Sequence, residues 1–96
     1  MLKADLIASV AERQQLKLSD AKRAVDAVFL AMSDALTLGE GVEIRGFASF
    51  RVKHYQGYEG RNPKTGERIR VAPKRRVVFK PGAELRQRVN KDEKEQ

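Results

Sequence analysis

The sequence contains no cysteine and no tryptophan, and only one histidine and three prolines. Without cysteine, neither a disulfide nor a thiolate metal site can supplement the hydrophobic core, which fits a reducing compartment. His54 has no second ligand in view, and no Ser/His/Asp, Cys/His or clustered-carboxylate arrangement suggests catalysis. We therefore expect a protein that is not an enzyme and has no cofactor, metal or small-molecule substrate.

Long apolar runs are also missing. No stretch approaches the roughly 20 apolar residues that a membrane-spanning helix needs. The first six residues include Asp5 and lack the apolar region of a signal peptide. We expect no membrane partner.

The positive charge is confined to the middle of the chain. Residues 45–80 carry eleven Lys and Arg against two Asp and Glu, whereas residues 1–44 carry five against seven and residues 81–96 are balanced. A solvated surface usually interleaves acids with bases, so this asymmetry indicates a surface that binds a polyanion such as nucleic acid.

Two helices are predicted first. Apolar residues spaced for one helical face run from about Lys3 to Gln14. Ser19 is expected to cap a second helix, and Gly39 is expected to end it in the C′ position. Phe29 lies on the apolar stripe of this second helix, where we assign it to the core of a dimer.

A short antiparallel sheet and a last helix are predicted next. Val42 to Arg45 alternate as a strand, Gly46 breaks the run, and Phe47 and Phe50 start the next strand. The last strand ends at Phe79, and Lys80-Pro-Gly82 opens a short helix. Phe47, Phe50 and Phe79 complete the predicted dimer core, and residues 91–96 are expected to form a frayed polar tail.

Between these strands, residues 51–76 predict a long two-stranded β-arm. Asn62-Pro63 and Gly66 supply the turn at its tip, and cations rather than apolar residues dominate both strands. The arm removes about a quarter of a small chain from any core, so obligate dimerisation is expected on size alone.

Three motifs resemble the bacterial family of HU and integration host factor over essentially the whole chain. Gly60-Arg-Asn-Pro-Lys-Thr-Gly-Glu67 resembles the family's arm tip, Val42-Glu-Ile-Arg-Gly-Phe-Ala-Ser-Phe50 its strand–turn–strand, and Phe79-Lys-Pro-Gly82 the start of its last helix. The resemblance implies an α+β fold and an intertwined homodimer or heterodimer, as a single domain over 1–96. The expected parts are a helical hairpin body (1–39), a sheet and last helix (40–50 and 77–90), an arm (51–76) and the tail (91–96).

The resemblance also implies a function in the bacterial nucleoid, in the cytoplasm. The arms would lie in the minor groove of duplex DNA, and Pro63 would wedge between base pairs and kink the duplex. Such bending supports DNA compaction, recombination, replication and transcription. The arm residues to which we assign DNA contacts are Arg51, Lys53, Arg61, Asn62, Lys64, Arg68, Arg70, Lys74, Arg75 and Arg76.

The body is expected to touch DNA through Lys3, Lys80 and Gly82, at or near the starts of the first and last helices. Glu43, Arg45 and Gly46 belong to a stretch that looks especially like the beta subunit of integration host factor, where this region takes part in sequence readout. Two departures from the family pattern are Ala4, where relatives commonly have Ser or Thr, and Ala48, where they usually have Gly.

Several alternatives stay open at this level. Pro63 and Asn62 could simply shape the turn, and Glu43 and Arg45 could be a solvated acid and base. The whole protein could coat DNA or form filaments on it without kinking. The basic segment could also be an adaptor for an anionic surface, although its β-type alternation is unlike an amphipathic membrane helix.

Overall fold

The computed structural model describes the backbone of residues 1–95 and the side chains of residues 1–91. The described residues form three helices and five strands in the order α1 (Lys3–Gln14), α2 (Leu18–Thr37), β1 (Val42–Ile44), β2 (Ala48–Tyr55), β3 (Tyr58–Arg61), β4 (Arg68–Val71), β5 (Lys74–Pro81) and α3 (Ala83–Glu95). The predicted α+β class is confirmed. The described residues include no helix long and apolar enough to cross a membrane.

The chain divides into two compact units, Met1–Ala35 and the part from Leu36 onward. The expectation of one domain over 1–96 stays a prediction. In the first unit, α1 and α2 pack through a small cluster of buried Ile7, Ala21 and Val25. Burying an isoleucine or valine side chain stabilises a fold by about 1.5–3 kcal/mol, and an alanine contributes less, so these three residues make a modest core.

The bounds of α2 correct one prediction. The helix begins at Leu18, and the N–H of Ala21 donates to the carbonyl of Lys17 at 3.0 Å, so Lys17 and not Ser19 occupies the capping position. Leucine at 18 forms helix readily, and this moves the start ahead of the better capping residue. Gly39 follows the helix as predicted, with φ of 83° and its N–H donating to Leu36.

The second unit holds a three-stranded antiparallel sheet in the order β1-β2-β5. Val42 pairs with Phe50, and Phe50 in turn pairs with Phe79. Phe47 was predicted to start β2, and this prediction is wrong. Phe47 lies in the turn at 45–47, where its N–H donates to the carbonyl of Ile44 at 2.9 Å. Arg45 also lies in this turn, so β1 is one residue shorter than expected.

The predicted arm is present but divided. Its inner part continues β2 and β5, and its outer part is a separate two-stranded sheet of β3 and β4. Residues 56–57 and 72–73 belong to no strand. Proline at 73 has no N–H to give to a ladder, which explains the interruption on that side.

The last helix is longer than predicted. It runs from Ala83 to Glu95 and so includes residues 91–95 of the expected frayed tail, while Gln96 lies outside the described residues. Lysine, glutamate, glutamine and arginine have high helix propensity, so a polar sequence can continue the helix.

Candidate nucleic-acid interface

The inner arm has one cationic face. Because side chains alternate across a strand, residues 51, 53 and 55 of β2 share a face with residues 74, 76, 78 and 80 of β5, which pair opposite them. The cations on this face are Arg51, Lys53, Lys74, Arg76 and Lys80. The guanidinium of Arg76 lies 5.5 Å from the centre of the Tyr55 ring, a cation–π contact that orders its side chain.

The opposite face of the inner arm is apolar near the body and polar further out. Phe50 and Phe79 pair there with ring centres 5.3 Å apart and planes tilted by 56°, and Val52 pairs with Val77. His54 and Arg75 form the next pair on this face. Arg75 therefore lies on the other side of the sheet from Lys74 and Arg76, and its Nη1 donates to the backbone carbonyl of Thr37 at 3.2 Å.

The outer arm repeats this two-faced arrangement. Glu59 pairs with Arg70 and Arg61 pairs with Arg68, which places three arginines and one acid on one face. Arg70 Nε lies 3.7 Å from Glu59 Oε1, and both side chains are exposed. The sequence predicted cationic rather than apolar strands, whereas the other face of the outer arm carries Tyr58, Ile69 and Val71.

The arm tip is a turn organised by Asn62. Its N–H donates to Glu67 at 2.8 Å, its carbonyl accepts from Gly66 at 2.7 Å, and its side-chain Oδ1 accepts the N–H of Lys64 at 2.9 Å. Pro63 stands in this turn with its side chain exposed. The turn therefore presents a rigid apolar ring at the tip, and Asn62 holds the turn in shape.

On the body, Lys3 is held by an acid. Its Nζ lies 2.7 Å from Asp26 Oδ1, and Lys22 Nζ lies 2.6 Å from Asp26 Oδ2. The hydrogen bond from Lys22, and then that from Lys3, lowers the pKa of Asp26 below its ordinary value. The charge of Lys3 is thus partly neutralised. The sequence did not predict this ion pair, because its two residues are 23 positions apart and no local pattern links them.

The other predicted body residues meet at the turn between β1 and β2. Gly46 lies in that turn with φ of 82°, and Gly82 donates its N–H to the carbonyl of Phe47 at 2.8 Å. Glu43 pairs with Ser49, Ser49 also pairs with Lys80, and Glu43 and Arg45 are exposed. The start of α3 is thereby fixed beside the turn. Glu43 and Lys80 lie on the two outer strands of the sheet, with Ser49 of β2 between them.

Most of the predicted dimer core is uncovered in a single chain. Phe29, Phe47 and Phe79 are 40%, 46% and 52% exposed, and Phe50 is partly buried. Among the described residues only Ile7, Ala21, Val25 and Ala48 are buried apolar side chains. Large aromatic residues are usually buried, whereas these three are exposed in the single chain.

A helical hairpin followed by a sheet with a cationic, two-stranded arm defines a small nucleic-acid-binding protein. The family described as "Bacterial DNA-binding protein" matches residues 1–90. The chain belongs to this family, that of HU and integration host factor, whose members are architectural DNA-binding proteins and not enzymes.

Individual relatives support this membership. The chain is 46% identical to the DNA-binding protein HU-1 of Halalkalibacterium halodurans over 90 residues, which cover 94% of this chain and 100% of the relative. It is 50% identical to the integration host factor subunit beta of Burkholderia mallei over 91 residues, 94% of this chain and 85% of the relative. An Anabaena HU–DNA cocrystal structure superposes with a TM-score of 0.78 at 31% identity, covering 93% of this chain and 97% of that one. The predicted resemblance and fold are confirmed.

Proposed function

We propose that this protein is a nucleoid-associated architectural protein, which binds duplex DNA in the minor groove and bends it by inserting Pro63 between base pairs. The observation that carries the proposal is the arm itself. Apart from Arg75 and from Lys64 in the tip turn, its cations lie on one face of each sheet, and the arm ends in a hydrogen-bonded turn with an exposed proline. In the bacterial nucleoid such bending would support compaction, recombination, replication and transcription.

The cationic face supplies affinity. Each Lys or Arg that neutralises a phosphate releases counterions, so binding weakens as salt rises, with a log–log slope of about −0.9 per phosphate. The residues to which we assign this role are Arg51, Lys53, Arg61, Lys64, Arg68, Arg70, Lys74 and Arg76. An acid on the same face, Glu59, is already close to Arg70 and lowers the net charge of the outer arm.

Pro63 supplies the bend. Proline has no N–H to desolvate and its ring is rigid, so entering a dry base step costs it little. Unstacking a step costs about a few kcal/mol, which is recovered when the bent duplex contacts more protein. The hydrogen bonds around Asn62 hold the turn rigid, so that the base step and not the turn would deform on contact.

The body would hold the flanking DNA. Lys3, Lys80 and Gly82 lie at or just before the starts of α1 and α3, where backbone N–H groups favour phosphate oxygens. Exposed Arg45 in the turn is suited to a narrow minor groove, so we assign Glu43, Arg45 and Gly46 to the reading of DNA shape.

The functional unit would be a dimer, either of this chain or with a related subunit. The small buried core and the exposure of Phe29, Phe47 and Phe79 support this state. In a dimer, two arms can embrace one duplex and introduce two kinks. We therefore expect bending to depend on how much of the protein is dimeric, and not on the total basic charge.

Fluorescence transfer between the ends of a duplex of about 35 base pairs tests the proposal, because two kinks of the size that architectural proteins produce bring such ends together. We expect titration with protein to raise transfer, and Pro63→Ala to bind while giving much less transfer at saturation. Lys64→Ala is the matched control: it should reduce the salt slope by about 0.9 for each altered subunit in the dimer and leave the saturated transfer unchanged.

The other outcomes are decisive. Binding of the unaltered protein without a rise in transfer would indicate a coating protein, and equal transfer with Pro63→Ala would refute the wedge. Stronger binding to anionic lipid vesicles than to duplex at equal salt would indicate the adaptor function instead. A random duplex beside one with an A-tract and flexible pyrimidine–purine steps separates general from site-selective bending.

A further inference from the structure

We propose that Arg75 is a positioning residue, which ties the base of the arm to the end of α2 and does not contact DNA phosphate. This inference rests on the proposed function in one respect, because the arm that Arg75 positions is the one assigned to DNA. It separates Arg75 from Lys74 and Arg76, which sequence alone groups with it as one run of three cations.

Arg75 lies on the opposite face of the inner sheet from its two neighbours in sequence. Its strand pairs Lys74 with Tyr55, Arg75 with His54 and Arg76 with Lys53. Alternation therefore puts Lys74 and Arg76 with the cationic set and Arg75 on the face of Val52, Val77 and the paired phenylalanines. A duplex lying on the cationic face is on the opposite side of the sheet from Arg75.

The guanidinium of Arg75 contacts the backbone at the end of α2. Arg75 Nη1 donates to the carbonyl oxygen of Thr37, the last residue of α2, at 3.2 Å. The last four carbonyls of a helix have no partner within the helix, and a cation beside them also interacts favourably with the helix dipole. The N–H of Gly39 donates to the carbonyl of Leu36, and Arg75 donates to the carbonyl of the neighbouring Thr37.

The end of α2 lacks a cation of its own. Its last turn contains no basic residue and contains Asp34, whose charge is unfavourable at that end. Arg75 brings from 38 residues away the cation that the local sequence lacks. Because Arg75 stands two residues after Pro73, this bond fixes β5 directly beside the interruption of the arm.

The bond is tested first in the free protein, so that the result does not depend on DNA binding. We compare Arg75→Ala with the matched control Lys74→Ala, which removes an equal charge from the adjacent position. Arg75→Ala should move the ¹³C′ resonance of Thr37 and lower the backbone order parameters of residues 72–76, whereas Lys74→Ala should leave Thr37 unmoved. An unmoved Thr37 resonance in Arg75→Ala would overturn the inference.

The second test uses the end-labelled duplex over a range of salt. Arg75→Ala should lower affinity by the same factor at every salt concentration, keep the wild-type salt slope and reduce transfer at saturation, because the arm is misplaced. Lys74→Ala should instead reduce the slope by about 0.9 for each altered subunit in the dimer. A comparable loss of slope in Arg75→Ala would make Arg75 a phosphate ligand and refute the proposal.

Two further results keep the tests separable. Arg75→Gln, which keeps much of the aliphatic stem, is measured in parallel, so that a folding defect in one variant does not remove the comparison. If the unaltered protein shows no salt-dependent DNA binding, the proposed function fails, while the Thr37 resonance still decides whether Arg75 holds the end of α2.

Discussion

Gly57 and Val71 face each other across the arm so closely that no side chain fits between them. A Cβ atom built on Gly57 would lie 2.5 Å from the carbonyl oxygen of Val71 and 2.9 Å from Cδ of Pro73. Both limiting atoms belong to backbone or to a proline ring, which cannot swing aside. The point where the two sheets of the arm meet is therefore a close backbone contact.

Gly57→Ala should loosen this junction. The methyl group forces the strands apart, and overpacking of this kind costs about 1–3 kcal/mol. Amide hydrogen exchange should show reduced protection in β3 and β4, with α1 and α2 unchanged. Gly60→Ala is the control, since its Cβ would meet only ring carbons of Tyr58 at 3.7 Å or more. Equal loss of protection in both variants would contradict the close-contact explanation.

Asp26→Asn should strengthen DNA binding. Lys3 lies 2.7 Å from the Asp26 carboxylate, so it must leave that partner to reach a phosphate. Removing the competitor should raise affinity a few-fold at low salt, as expected for exposed ion pairs, with a smaller gain at high salt. Asp34→Asn makes the same change in net charge on the same helix, and a gain as large in that variant would mean that overall charge is responsible.

The Asp26 carboxylate should also give a small pH dependence to folding. Lys22 and Lys3 lower its pKa in the folded protein, so the stabilisation is present above the ordinary value of 3.8 and is lost as pH falls through the lowered value. Urea unfolding of wild type and Asp26→Asn should therefore differ near neutral pH and converge in acid. Parallel curves down to the acid limit would show that the ion pairs add nothing to stability.

Asn62→Ala should soften the arm tip. The substitution removes the acceptor of the Lys64 N–H, a hydrogen bond that contributes about 0.5–1.5 kcal/mol. We expect faster exchange of the Lys64 amide and a partial loss of bending, smaller than that of Pro63→Ala. Asn62→Asp keeps the acceptor and should protect the Lys64 amide while weakening DNA binding through its charge. If Asn62→Ala leaves the Lys64 amide unchanged, the side-chain bond does not hold the turn.

Phe79→Ala should reveal the second subunit. Phe79 is 52% exposed in one chain, so its loss from a monomer should cost much less than the roughly 3–5 kcal/mol typical of a fully buried phenylalanine. If a partner covers it, the full cost should appear together with a concentration-dependent melting temperature and dissociation in sedimentation. Leu30→Ala, at a position 63% exposed outside the apolar stripe of α2, is the control.

Sequence periodicity located the helices well because their spacing is a local property. The bounds of α1 agree with the prediction from Lys3 to Gln14, and Gly39 ends α2 as expected. Ser19 was wrong as the cap because the helix already includes Leu18, a good helix former, so that Ser19 lies inside the first turn.

The arm and its contacts show where sequence reasoning stopped. The interruption at 56–57 and 72–73 has a visible signal in Gly57 and Pro73, which lie in the two connections on opposite sides of the arm once the register is known. The sequence predicted the cations but not their sorting, since the face of Arg75 depends on which residue of β2 stands opposite it. Its bond to Thr37 and the pairing of Lys3 with Asp26 join distant positions and exist only after folding.

The divided arm has a mechanical consequence. The outer sheet is joined to the inner one by two short connections that lie side by side, residues 56–57 and 72–73. Two parallel connections permit rotation about the line between them and resist swivelling about the long axis of the arm. We expect residual dipolar couplings of β3 and β4 to report motion about this single axis, and isotropic averaging would contradict it. An arm that bends only about this axis keeps each face of the outer sheet on the same side of the arm.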